Sequence, residues 1–282
     1  MRAACIQFAA RPDKADNLRD MAPFVADAAE RGADIVLLPE KWNAWVDGAA
    51  MRLEAERIDS GPSVEAMAGW AAQHQINLIG GSIAIDLGDG VVGNVSIVYD
   101  RTGARIASYT KIHLFDVDVG GQSYRESDGT DPGSDPVVAD IDGVRVGLTV
   151  CYDLRFPELY RLLTLGGGAT VLTVPSNFTL HTGMAHWEVL LRARAIENQA
   201  YVLATSQHGF PGGRTKPSYG HSMIVDPWGT VIAQAPDGDG VITADLDFER
   251  QAEIRAALPA LRHLHPRFRQ PEAALDPAVR PA

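Results

Sequence analysis

Four apolar residues in an unbroken row, Ile35-Val36-Leu37-Leu38, limit how this chain can fold. A strand with one wet face alternates apolar and polar side chains. A strand without alternation has to be covered on both faces. Val144 to Val150 also reads as a buried strand. Helical spacing lies between such runs: Lys14 to Arg31 with Asp13 as cap and Gly32 as stop, and Val64 to His74 behind the turn Ser60-Gly61-Pro62-Ser63. Two more helices are expected at Glu158 to Leu165, closed by Gly166-Gly167-Gly168, and at Met184 to Asn198. Further strands are expected at 2–8, 77–85, 94–100, 104–110, 137–138, 170–174, 201–206, 220–225, 230–235 and 241–246, with a last short helix at Phe248 to Ala257.

Strands and helices interleave throughout, which predicts an α/β architecture. Many strands come in pairs between helices, so two packed sheets with outer helices fit better than one doubly wound sheet. One domain is expected over residues 1–262, with a Pro- and Arg-rich extended tail over 263–282. Residues 112–136 show little periodicity and many Gly, Asp and Ser, the mark of a long functional loop.

Composition removes several classes. The net charge is −11 and no block of Lys or Arg stands out, which argues against a nucleic-acid partner. Two cysteines, Cys5 and Cys151, allow at most one disulfide, so this is no disulfide scaffold. No apolar run is long enough to cross a membrane and the first residues lack a secretory pattern, so the cytoplasm is the expected location.

Three apolar stretches each end on one residue of chemical use. Glu40 follows Ile35-Val36-Leu37-Leu38-Pro39, Lys111 follows the 104–110 strand, and Cys151 follows Val144 to Val150. Taken alone, Cys151 reads either as a small core residue or as a nucleophile presented where a strand stops. Glu40 alone reads as a loop acid and Lys111 as a solvated strand end. Together at the carboxyl ends of strands, a carboxylate, an ammonium and a thiol make a catalytic set. The carboxylate takes the thiol proton, and the ammonium favours the thiolate and then holds an oxyanion, with the backbone N–H of Tyr152 as a second donor.

These segments, LLPE at Glu40, YTKIHLFD at Lys111 and CYDLRFPE at Cys151, resemble the three signature segments of the nitrilase, or carbon–nitrogen hydrolase, superfamily. YRES with Glu126, AHWEVLLRARAIENQAYV and SYGHSMIVDPWGTV resemble it too, in the same order. The resemblance implies a four-layer αββα sandwich pairing into an eight-layer homodimer. It implies Glu40 as general base, Lys111 as oxyanion stabiliser, Cys151 as nucleophile and Glu126 as a second glutamate that positions Lys111 or the substrate. It implies no cofactor and no metal.

Tyr152-Asp153 after the cysteine resembles the amidase branch, where nitrile hydrolases carry Trp-Glu, and SYGHSMIVDPWG resembles the deaminated glutathione amidases more than the omega-amidases. The implied substrate is a small carboxylated amide whose acyl part resembles 2-oxoglutarate. Omega-amidase activity on α-ketoglutaramate and nitrile hydrolysis are the alternatives, and a catalytically silent binding protein is the alternative of another class. Arg155, Arg214 and Lys216 are candidates to meet a carboxylate; Arg214 and Lys216 read better as surface charge, which leaves Arg155. Eight histidines offer no catalytic or zinc pattern: His181 and His186 are five apart and no His-Glu-x-x-His occurs.

Overall fold

The computed structural model describes residues 1–46, 48–213, 215 and 217–268. Among these, two large sheets carry the fold. The first has eight strands. In spatial order they are Gly240–Asp245, Arg2–Gln7, Ile35–Leu37, Asn77–Ile79, Val91–Tyr99, Ile83–Gly88 and Glu56–Arg57, with Arg105–Thr110 also paired to Val91–Tyr99. The second has six strands: Val137–Ile141, Val144–Leu148, Val171–Ser176, Tyr201–Ser206, Met223–Val225 and Val231–Gln234. Its centre is parallel and its flanks antiparallel.

The apolar runs have the reason the sequence suggested. Ala3, Cys5, Ile35 and Leu37 face one way, into a core shared with Val146, Leu148, Val171, Leu172 and Leu203 of the second sheet. Their neighbours Ala4, Ile6, Val36 and Leu38 face the other way, against Met21 and Val25 of the helix Lys14–Glu30 and Met67 and Trp70 of the helix Pro62–His74. Each Val, Leu, Ile or Met side chain so withdrawn from water contributes about 1.5–3 kcal/mol before chain entropy is charged against it. The helices Pro157–Leu165 and Leu180–Asn198 pack on the second sheet, through Leu163, Trp187 and Leu191.

Local chemistry sets the element ends. Asp13 caps the first long helix by accepting from Asp16 N, and Thr179 caps Leu180–Asn198 by accepting from Thr182 N. That second cap starts the helix four residues before Met184. The expected single strand over 77–85 is two strands placed on either side of Val91–Tyr99. Gly81 makes the break: its φ is 60°, and a Cβ there would overlap the carbonyl oxygen of Pro39. The loop expected over 112–136 contains a hairpin, Asp116–Val119 with Gln122–Arg125, turned at Gly120-Gly121, and a single 3-10 turn at Glu126–Asp128. At the tail, His263 ends the short helix Ala260–His263 and 266–268 form a 3-10 turn, so the expected extended conformation does not hold there. The rest of 263–282 lies outside the described residues.

Candidate active site

The strand Val144–Leu148 runs through Thr149 and Val150 and stops at Cys151. Val150 is extended, at φ −138°, whereas Cys151 sits at φ 50°, a left-handed conformation uncommon for any residue but glycine. A 3-10 turn, Cys151–Arg155, follows at once. Strained residues of this kind persist where their surroundings hold them. Here Asp153 does the holding. Its carboxylate is fully buried and accepts from Val150 N at 2.8 Å, Tyr109 Oη at 2.7 Å and His113 N at 3.1 Å, with His113 Nδ1 at 2.7 Å. The His113 ring also stacks on Phe156, with centroids 3.6 Å apart.

Lys111 leaves the strand Arg105–Thr110 two residues after Tyr109. Its backbone is pinned on both sides, by Lys111 N to Asn94 O at 2.9 Å and Gly133 N to Lys111 O at 2.8 Å. Its side chain is 1% exposed, and Nζ lies 3.0 Å from Glu40 Oε1 and 2.7 Å from Glu126 Oε2. Asn94 Nδ2 donates to both acids, at 3.0 Å each, and Phe115 N donates to Glu126 Oε2 at 2.9 Å. Glu40 follows Ile35–Leu37 and Pro39; its carbonyl accepts from Gln207 Nε2 at 2.8 Å, which ties it to the second sheet.

Electrostatics follow from this packing. Burial opposes the charge on Lys111, but Glu126, Glu40 and the Cys151 sulfur raise its pKa well above the lysine range. Burial also works against the Glu126 carboxylate, and Lys111 with Lys41 outweighs it, holding the group below the carboxylate range. Cys151 goes the other way. Burial and then the Glu40 charge push its thiol above the cysteine range, while Lys111 and the backbone N–H of Asn177 pull it back.

Glu40, Lys111, Glu126 and Cys151 line one pocket of about 420 Å³, with Lys41, Trp45, Phe115, Tyr124 and Asn177 among its other walls. A volume of that order suits a small organic substrate. Tyr152 and Arg155 are absent from this lining and border a narrow cleft on another side of Cys151, with Phe178 and Thr182. The Tyr152 ring packs edge-on to Phe115 and Phe156. Its N–H lies in the first turn of the 3-10 helix, where no intrahelical carbonyl reaches it. Arg155 Nη1 lies 3.3 Å from His186 Nδ1, and its guanidinium lies over the rings of Tyr152 and Phe178. Arg214 and Lys216 lie outside the described residues. Among the described residues no cluster of His, Cys, Asp and Glu is arranged to hold a metal ion, and no helix is long and apolar enough to cross a membrane.

Sequence reasoning missed Asp153, Lys41 and Asn94. Asn94 left a signal, because it stands as a polar residue inside the apolar strand Val91–Tyr99. Asp153 and Lys41 left none of that kind: in sequence they are charges near a turn.

The model of the family described as carbon-nitrogen hydrolase matches residues 2–256. Omega-amidase NIT2 of Xenopus tropicalis is 40% identical over 265 residues, covering 93% of this chain and 94% of that protein. The deaminated glutathione amidase of Synechocystis is 36% identical over 266 residues, covering 93% and 97%. The crystal structure of Saccharomyces cerevisiae Nit3, a member of branch 10 of the nitrilase superfamily, superposes with a TM-score of 0.84 at 32% identity, covering 95% and 96%. With its mixed α/β fold matching nitrilase-superfamily structures, this chain belongs to the carbon–nitrogen hydrolase family.

Proposed function

We propose that the protein is a cysteine-dependent amidase that hydrolyses small carboxylated amides through a thioester acyl-enzyme. One observation carries the reading: Glu40, Lys111 and Cys151 line the same substrate-sized pocket, with the Lys111 ammonium hydrogen-bonded to the Glu40 carboxylate.

The chemistry follows from that arrangement. A substrate carbonyl enters beside Cys151. Glu40 takes the thiol proton as the sulfur attacks, so that charge forms only when it is used. The carbonyl oxygen becomes an oxyanion between Lys111 Nζ and the N–H of Tyr152. Glu40 then passes its proton to the departing amine. The C–N bond breaks and a thioester remains on Cys151. Water enters, Glu40 takes one of its protons, and the thioester is hydrolysed, which frees the acid and restores the thiol. Glu126 does not react. It holds Lys111 in place and keeps it charged, while Asn94 spaces the two carboxylates.

The acyl part we favour resembles 2-oxoglutarate, as in deaminated glutathione; α-ketoglutaramate carries the same acyl part, and the two named relatives, an omega-amidase and a deaminated glutathione amidase, support both. We further propose the four-layer αββα sandwich pairing into an eight-layer homodimer. The exposed Met184, Val189 and Ile196 on Leu180–Asn198 supply apolar surface for that contact. Two free, buried cysteines suit the cytoplasm.

The test is amine or ammonia release from deaminated glutathione, α-ketoglutaramate and an aromatic nitrile, with Cys151→Ala beside the wild type. Cleavage of a carboxylated amide by the wild type alone is the expected result. Turnover of the nitrile only, or turnover that survives Cys151→Ala, contradicts the reading.

A further inference from the structure

Lys41 follows Glu40 directly, yet both side chains line the same pocket. On an extended strand, consecutive side chains point to opposite faces. The chain departs from that rule because Lys41 adopts φ 51°. The conformation is held from both sides. Lys41 N donates to Ser82 O at 2.7 Å, and Gln207 Nε2 donates to the carbonyls of Glu40 and Lys41, at 2.8 and 3.1 Å. A strained backbone kept this firmly, at a site, points to a use for the side chain it turns inward.

Among the described residues three cations line the pocket, and they are not equally engaged. Lys111 is clamped between Glu40 and Glu126. Arg125 is folded onto its own hairpin, donating to the carbonyls of Val117 and Tyr124 and to both oxygens of Asp118. Lys41 lies over the Trp45 ring, at 5.7 Å, and meets one carboxylate oxygen, Glu126 Oε1, at a long 3.4 Å. An ammonium has three donors, so Lys41 keeps some of them for the pocket. Its side chain is 13% exposed, against 1% for Lys111.

The spacing is informative too. Glu126 presents one oxygen to Lys111 and the other to Lys41. The two ammonium groups are therefore about one carboxylate apart. With the scissile carbonyl at Cys151 and Lys111, a few carbons reach Lys41. A free carboxylate entering here meets Glu40, Glu126 and Asp128, all on the lining, and is repelled unless a cation receives it. We propose that Lys41 is the residue that receives the free carboxylate at the far end of the acyl group. This rests on the amidase reading and adds the residue that selects the acyl half.

Two amides of equal length test it: glutaramic acid, which ends in a carboxylate, and pentanamide, which ends in a methyl group. Lys41→Met keeps the aliphatic stem against Trp45 and removes the charge; Lys41→Arg keeps the charge. The wild type is expected to prefer glutaramic acid in kcat/KM. In Lys41→Met that preference falls by about tenfold or more, through KM, and Lys41→Arg restores most of it. Binding of glutarate to Cys151→Ser, followed by calorimetry, weakens by a similar factor when Lys41→Met is added. If the preference survives Lys41→Met, or both amides lose the same factor because Lys41 serves only to hold Glu126, the proposal is overturned. A wild type that cleaves pentanamide with no preference overturns it and leaves the amidase reading standing. A wild type that cleaves neither amide, with glutarate failing to bind, overturns the proposal, and the amidase reading then stands or falls on deaminated glutathione and α-ketoglutaramate.

Discussion

Tyr109 Oη donates a 2.7 Å hydrogen bond to Asp153 Oδ2, joining the strand that delivers Lys111 to the turn that presents Cys151. Tyr109 is two residues before the ammonium and Asp153 is two residues after the sulfur. One buried contact thus links the positions of the Lys111 and Cys151 side chains, which come from different sheets.

Asp153→Asn replaces an acceptor-only group with one whose Nδ2 faces donors. Unsatisfied buried donors cost about 1–3 kcal/mol each, so the variant should unfold at clearly lower urea concentration. Turnover should fall by more than tenfold, in kcat and not in KM, because the turn at Cys151 loses its brace. Tyr109→Phe should give a smaller loss of the same kind. The two losses should be strongly non-additive, since they share one contact. Full additivity in stability and kcat would show that the two residues act separately.

Glu126 is held below the ordinary carboxylate range, with burial opposing and Lys111 and Lys41 prevailing. A carboxylate with a depressed folded pKa contributes stability that is present above its unfolded value, about 4.3, and lost as pH falls through the lower folded one. The stability gap between the wild type and Glu126→Gln should be constant near pH 7 and should narrow as pH falls below about 4. Urea unfolding across that range reads the gap directly. A gap that widens on acidification would mean that Glu126 is protonated in the folded protein.

The Glu40 charge adds to burial in pushing the Cys151 thiol upward. Glu40→Gln removes that charge and leaves Lys111 in place. The variant should be inactive by at least about a thousandfold, since it lacks the base, and yet its Cys151 should ionise at lower pH than in the wild type. Thiolate absorbance against pH, corrected with Cys151→Ala, measures the midpoint. An unchanged or higher midpoint contradicts the assigned electrostatics.

Gly81→Ala tests how Glu40, the proposed general base, is positioned. The site has φ 60°, and a Cβ meets the Pro39 carbonyl just before Glu40. The substitution should cost about 2 kcal/mol or more and lower kcat together with stability. A variant as stable and active as the wild type would show that the Pro39-Glu40 backbone has room to move.

Much of the site was legible because each key residue interrupts a pattern. Glu40 and Cys151 stand where apolar runs stop, and a run that must be buried on both faces fixes where its end emerges; Lys111 follows a strand that is mostly half-buried, so its place was legible only beside the other two. The short helix Phe248–Ala257 was legible in the sequence as well. Asp153 was not, because its role depends on Tyr109 and His113, more than forty and forty residues away along the chain, meeting it across the core. Lys41 was not, because only its left-handed backbone turns it into the pocket. The division of 77–85 into two strands was hidden for a related reason. The strand expected over 77–85 runs straight through Gly80-Gly81, and the close approach of Gly81 to Pro39 is visible only in the folded chain.

The proposed reaction turns on the thioester, and partitioning tests it most directly. The wild type is supplied with two amides that share an acyl group and differ in the departing amine, in the presence of hydroxylamine. Hydroxamate and free acid are then measured. If both amides pass through the same acyl group on Cys151, the hydroxamate-to-acid ratio is the same for both at every hydroxylamine concentration, and Cys151→Ala gives neither product. A ratio that depends on the departing amine would mean that no common acyl-enzyme exists, and Cys151 would not be the nucleophile.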